Sequence, residues 1–154
     1  MSAVRVSFGR ADTTAVLDDE QMVLPVGIDT LVERELITDP PRPEELTNAI
    51  GLVFDHFDDV VRLLPHVVGA SVEMEGPEVR AMAAVEVGAV PSLPFVLTRD
   101  AAEDVFRTLA TESHRQRAHN PGLDPLLVGT IVGGCCAVVA VMRRLHLDEV
   151  TVLP

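Results

Sequence analysis

No lysine occurs in this chain of 154 residues: its 12 basic residues, all arginine, face 24 aspartates and glutamates. The formal net charge of −12 excludes nucleic acid and anionic membrane surfaces as partners, since both require a basic face. It also disfavours highly anionic substrates unless a local basic pocket or a metal intervenes. Cysteine is almost as scarce. Cys135 and Cys136 are adjacent inside the most apolar stretch, where they read as small core residues rather than a disulfide or a metal site. Met1–Asp12 carries Arg5 and Arg10 but lacks the apolar centre of a signal peptide, so a cytoplasmic home is expected. No repeat, low-complexity tract or linker divides the sequence, and residues 1–154 are expected to form a single domain.

Uncharged runs are short, with one exception. Leu126–Met142 carries no charge and is closed by Arg143-Arg144, a length at the lower edge of a transmembrane helix. The continuation argues for a buried helix instead. His146-Leu147-Asp148 breaks it, and Glu149-Val150-Thr151-Val152 then alternates as a strand. Gly129, Gly133 and Ala137 recur every four residues on one helix face, where small side chains let another backbone approach closely.

From the start of the chain, Val4–Phe8, Thr13–Leu17 and Gln21–Ile28 read as three short strands, the last two separated by Asp18-Asp19-Glu20. Leu31–Leu36 gives a helical turn or two. Pro43 opens a strongly amphipathic helix in which Leu46, Ala49, Val53, Phe57, Val60 and Leu64 follow the helical period. Pro65 stops it. Val67–Val72 reads as a strand, entering a loop at Glu73–Gly76. Pro77 restarts a helix over Glu78–Val87. Phe95–Leu97 is a brief extended piece, and the Thr98 hydroxyl caps a helix over Asp100–Thr111. The order β-β-β-α-β-α-α-α-β predicts an α/β domain: a mixed five-stranded sheet, its three N-terminal strands antiparallel, with helices on both faces. Ligands in such sheets sit beyond the carboxyl ends of strands. That points to Gly9–Thr14 and Gly69–Gly76.

Leu24-Pro25-Val26-Gly27, Asp39-Pro40-Pro41-Arg42-Pro43-Glu44-Glu45-Leu46, Asn120–Pro125 and Val141–Val152 together resemble the C-terminal half of the core of the exopolyphosphatase and guanosine pentaphosphate phosphatase (Ppx/GppA) family. The resemblance implies a ribonuclease H-like fold of the actin-like ATPase superfamily. It also implies two phosphate loops and a magnesium ion held by two acids. The family's first loop, Asp-hydrophobic-Gly-Gly-Gly-Ser-Thr-Glu, corresponds here to Ser7-Phe8-Gly9-Arg10-Ala11-Asp12-Thr13-Thr14. Ser7 and Thr14 stand in place of both acids. The second loop, Gly-x-Gly-Gly-Thr, is matched to Gly69-Ala70-Ser71-Val72-Glu73, where side chains replace bare backbone. A third pattern, Arg-Ala-Asp, reads Leu127-Val128-Gly129. The family's general base lies on an N-terminal half that this sequence is expected to lack.

The charges of the two loops point the same way. They bring one cation, Arg10, against Asp12, Glu73 and Glu75. At ~6 Å and an effective dielectric near ~20, each like-charge contact costs a bound anion roughly 3 kcal/mol. Glu75 and Glu78 flank Pro77 and occupy the positive end of its helix themselves. Magnesium on Asp12 and Glu73 would reverse the balance, but it usually needs carboxylates fixed by further bonds. Asp55-His56, Asp58-Asp59 and Glu44-Glu45 read as a solvated helix face. His114 and His119 read as surface residues. Ser71 and Ser113 lack a nucleophile signature.

The expectation is a degenerate, non-catalytic phosphatase-like module with no cofactor. It would act through a homodimer or a protein partner covering the face of the missing half, with Leu127 and Val128 as interface candidates. The alternative is a magnesium-dependent phosphoanhydride hydrolase completed by a separate chain, and a weaker third reading is a ligand sensor.

Overall fold

Val4, Val6 and Phe8 of strand β1 (Ala3–Phe8) are buried while Arg5 stays exposed, the alternation of a strand with one wet side. The computed structural model describes residues 3–154; within the stretch weighed as a signal peptide, Met1 and Ser2 lie outside the described residues. β1 pairs antiparallel with β2 (Thr13–Leu17), and β2 with β3 (Glu20–Leu24). Asp18 turns the β2–β3 hairpin at φ 55°, a left-handed conformation that aspartate tolerates better than most residues. β3 ends at Leu24, short of Ile28, because Pro25 has no N–H to give the ladder.

β1 also runs parallel to β4 (Ser71–Glu75), which runs parallel to β6 (Glu149–Val152). A further strand, β5 (Phe95–Thr98), closes the edge antiparallel to β6. The order is β3-β2-β1-β4-β6-β5, six strands where five were expected. The difference is the Phe95 segment, which pairs from Phe95 opposite Val152 to Thr98 opposite Glu149.

Among the described residues six helices accompany the sheet: α1 (Ile28–Arg34), α2 (Pro43–Leu63), α3 (Pro77–Val87), α4 (Arg99–Ala110), α5 (His114–Arg117) and α6 (Ile131–Arg144). α6 is the centre of the packing. Every residue from Ile131 to Met142 is buried, and α1, α2, α3 and α4 all pack against it. A helix apolar on all sides belongs inside a core. It starts at Ile131 rather than Leu126 because Pro125–Leu127 forms a separate 3-10 turn, its Leu126 N–H held by Asp124 Oδ1 at 2.9 Å. Of the small residues expected on one helix face, Gly133 and Ala137 lie in α6, whereas Gly129 falls in the turn before it. A Cβ on Gly133 would lie 2.8 Å from Val32 Cγ2, so α1 sits directly on it. Among the described residues no helix is long and apolar enough to cross a membrane.

The helices do not cover both faces. Val4, Val6, Phe8, Ala15, Leu17, Val72, Met74, Leu97, Val150 and Val152 are all buried on one face. Arg5, Ser7, Thr14, Val16, Glu73, Glu75, Val96 and Thr151 share the other, and none of them is buried. No helix among the described residues lies over that face. The alternation within each strand already encodes this, since strands buried on both sides read as continuous apolar runs.

Candidate functional site

The chain leaves β1 through Gly9–Asp12. Gly9 donates its N–H to the Asp12 carbonyl at 2.9 Å, and a Cβ on Gly9 would lie 3.0 Å from Asp12 Oδ1. Asp12 is therefore folded back over its own turn. The start of α1 is pressed against the same loop: Ile28 N–H reaches the Gly9 carbonyl and Asp29 N–H the Arg10 carbonyl, each at 2.9 Å. A Cβ on Gly27 would be 2.4 Å from the Arg10 carbonyl carbon. So the positive end of α1, a natural anion site, is already spent on this loop. Thr13 is buried and donates its hydroxyl to the Val26 carbonyl at 2.7 Å, a structural bond. Thr14 lies on the open face, directly opposite Ser7 in the ladder.

The second loop is not where the sequence suggested. β4 begins at Ser71, which pairs with Ala3, and it ends at Glu75 opposite Ser7. Gly69, Ala70 and Ser71 thus lie at the amino end of β4, four residue rises or roughly 13 Å from the Gly9 end. Of the expected strand Val67–Val72, Val67 falls in a 3-10 turn over Pro65–Val67, and only Ser71 and Val72 belong to β4, which runs on to Glu75. The turn that adjoins Gly9 is Glu75-Gly76-Pro77-Glu78. Gly76 takes φ 144°, and a Cβ there would be 3.2 Å from the Phe8 carbonyl. Only glycine fits comfortably at that position.

Glu78 fills the corner where this turn, the first loop and the start of α6 meet. It is 1% exposed. Its Oε1 accepts from the Arg10 guanidinium and from the Thr130 hydroxyl, the latter at 3.0 Å. Its Oε2 is buried with no hydrogen-bond partner. Arg10 also reaches Asp29 at 3.4 Å, so the single cation of the first loop is engaged within the chain. Acidic occupation of the α3 terminus is legible in the sequence. Sequence reasoning misses Thr130, although a threonine just before an apolar helix is a start signal.

The remaining acids are dispersed. Glu73 lies beside Arg5, with 3.4 Å between them, and Glu75 accepts a hydrogen bond from Ser7. Among the described residues no three of histidine, cysteine, aspartate and glutamate gather as a metal would require. Ser7 and Thr14 are neutral hydroxyls, Asp12 is folded back against Gly9 and Glu78 is taken by Arg10. These residues do not fit a magnesium ion, which favours free carboxylates and an open octahedron.

Val128 is packed in the core at 4% exposure, which removes it as an interface residue. Leu127 is half-buried and lines an apolar groove of about 540 Å³ with Ala81, Ala84, Val90, Leu93 and Leu123. Val90 of that lining is 93% exposed, and Leu126, beside Leu127 in the chain, is 88% exposed. His114 and His119 are exposed, as expected. Arg117 is not: it is buried and donates to the Leu109 and Glu112 carbonyls at 2.8 Å each. Burial pushes the Cys135 thiol well up and the Cys136 thiol to about 12, so neither is a nucleophile.

No family model matches the sequence, and no curated protein does. Solved structures do. A Ppx-GppA enzyme from Aquifex aeolicus superposes over 99% of this chain and 53% of its own, with a TM-score of 0.88 at 20% identity. An exopolyphosphatase-like protein gives a TM-score of 0.91 at 17% identity, over 99% of this chain and 54% of its own. In fold, this chain matches half of a Ppx/GppA phosphatase. An exopolyphosphatase from Cytophaga hutchinsonii agrees, with a TM-score of 0.78 at 14% identity and coverage of 99% and 53%. The chain therefore spans about half the length of the Ppx/GppA structures it matches. The mixed sheet expected of a ribonuclease H-like fold is the one observed, extended by β5.

Proposed function

We propose that this Ppx/GppA-like chain is non-catalytic and acts as a binding module, pairing with a second copy of itself or with a protein partner. The observation that carries the reading is the pair Ser7 and Thr14, neutral hydroxyls facing each other across β1 and β2 where the resemblance implies two metal-binding acids. A hydroxyl pair neutralises none of a magnesium ion's charge. Val90 and Leu126 support the second half of the reading, since exposed apolar side chains beside an apolar groove suit a protein contact. The net charge of −12 speaks for a partner other than nucleic acid, and two unpaired cysteines are in keeping with the cytoplasm. Sedimentation and pull-down test the proposal together. A strict monomer that recovers no partner defeats it.

The second reading is a magnesium-dependent phosphoanhydride hydrolase completed by another chain. It is favoured by the half-length match. Its test is hydrolysis of polyphosphate or guanosine pentaphosphate with magnesium. Turnover that is lost in both Arg10→Ala and Asp12→Ala would place this reading first.

A further inference from the structure

The apolar groove beside Leu127 has one cation in its wall. Pro77, Arg80, Ala81 and Ala84 recur at helical spacing, so a single face of α3 forms that wall. Residues 89–93 and 121–125 form the others, stiffened by Pro91, Pro121 and Pro125. A Cβ on Gly122 would lie 2.3 Å from the Ala84 carbonyl oxygen, so the second loop is seated directly on α3. The groove is thus built into the packing, and its volume of about 540 Å³ is that of a small-molecule site.

Arg80 is the unusual member of the lining. Most arginines of this acid-rich chain pair with aspartate or glutamate. Arg34, Arg42 and Arg115 do not, and they are exposed to water. Among the described residues Arg80 alone is half-buried yet has no acidic partner. Its own helix supplies none, because the residues three and four away are Gly76, Pro77, Ala83 and Ala84. It also stands near the positive end of the α3 dipole, which disfavours a cation. The one acid of the lining, Asp124, is exposed and accepts from the Leu126 N–H at 2.9 Å.

We infer that this groove binds a small amphiphilic monocarboxylate, its aliphatic chain against Ala81, Ala84, Leu93 and Leu123 and its carboxylate on the Arg80 guanidinium. A planar guanidinium matches a carboxylate with two parallel hydrogen bonds. One negative charge is what a lone arginine can answer in a chain of net charge −12; a polyanion would meet the surplus of acids. The inference goes beyond the binding-module reading, and the two fail separately. Sedimentation, pull-down and turnover decide that reading, whereas ligand selectivity decides this one.

The test uses octanoate and octanamide, one chain with a charged and a neutral head. Calorimetric titration and amide chemical-shift mapping compare the wild type with Arg80→Gln, whose folding is checked by circular dichroism. The wild type should bind octanoate at least ~10-fold tighter than octanamide, a difference worth ~1.4 kcal/mol, with shifts centred on Ala81, Ala84, Leu93 and Leu123. Arg80→Gln should bind the two compounds alike. A wild type that binds neither, binds both alike or shifts elsewhere overturns the inference, and so does a preference that survives in Arg80→Gln. Should that variant fail to fold, the wild-type selectivity and the place of the shifts decide alone.

Discussion

Alanine at Gly51 and alanine at Gly134 should move stability in opposite directions, although both glycines lie within long helices. At Gly51, in α2, a Cβ would meet nothing within 4 Å. The substitution then gains only the helix propensity of alanine over glycine, about 1 kcal/mol. For a protein of this size that raises Tm by roughly 2–4 °C. At Gly134 the same gain is available, but the new Cβ would lie 2.3 Å from Glu78 Cβ and 2.8 Å from its Cγ. Glu78 cannot swing aside, because Arg10 and Thr130 hold its carboxylate. The first turn of α3 must retreat instead. Overpacking of this kind costs about 1–3 kcal/mol. Loosening the Glu78–Arg10 pair adds to it, at a fraction of the ~3–5 kcal/mol for breaking a fully buried pair, since the Arg10 side chain is 46% exposed. The net expectation is a loss of about 2 kcal/mol, or roughly 4–8 °C in Tm. Thermal melts followed by circular dichroism read both variants. A Gly134→Ala protein as stable as Gly51→Ala would refute the placement of α6 against Glu78. The double variant Gly134→Ala/Glu78→Ala supplies an internal check. Alanine at 78 keeps the Cβ that would lie 2.3 Å away and removes only the Cγ contact, so most of the loss should remain.

Three further outcomes are expected. Arg143 grips Glu103 through Nε and Nη2 at 2.8 and 2.7 Å, and these bonds hold the Glu103 carboxyl below its ordinary range. A lowered native pKa means the stabilisation is present above the unfolded value of about 4.3 and is lost as pH falls through the native one. The Tm gap between wild type and Glu103→Gln should thus be steady at neutral pH, about 1–2 kcal/mol after discounting the half-exposed arginine, and close in acid. A gap unchanged down to the acid limit of folding contradicts the clasp. Thr13→Val should cost about 1–2 kcal/mol, because the Val26 carbonyl loses its donor; a thermal melt no different from wild type would show that this bond carries no weight. Cys135 and Cys136 should resist a thiol reagent at pH 8 in the folded protein and react fully in guanidinium, because burial raises both pKa values. A fast-reacting native thiol would show that α6 opens.

The fold was legible wherever local patterning and burial agree. The apolar period of α2 with its bracket of Pro43 and Pro65 places that helix close to its observed bounds, and the uncharged stretch marks α6, whose start at Ile131 comes five residues after Leu126. Phe95–Thr98 was underrated because four residues carry too little alternation to mark a strand, and the pairing with β6 that stabilises it is long-range. β4 was displaced for a related reason. Val67, Val68 and Val72 are all β-formers, yet Pro65 commits the first of them to a 3-10 turn, and Glu73 and Glu75 look like loop residues until their face is known to be wet. The site was legible in its losses: Ser7, Thr14 and Arg10 are visible in the sequence. Its occupant was only half visible. Glu78 could be placed at a helix start, but its partners Arg10 and Thr130 lie far away along the chain.

Charge arithmetic sets how firmly the native corner is closed. A phosphate brought there would meet Glu78 itself, with Asp12, Glu75 and Asp29 on the neighbouring turns and strand end. Each carboxylate at ~6 Å opposes it by roughly 3 kcal/mol at an effective dielectric of ~20, whereas Arg10 is already divided between Glu78 and Asp29. The α1 start offers no help, because it donates its N–H groups to the carbonyls of Gly9 and Arg10. By the same arithmetic a cation added at the rim offsets one of these repulsions and no more, so a single basic substitution leaves the corner closed to phosphate.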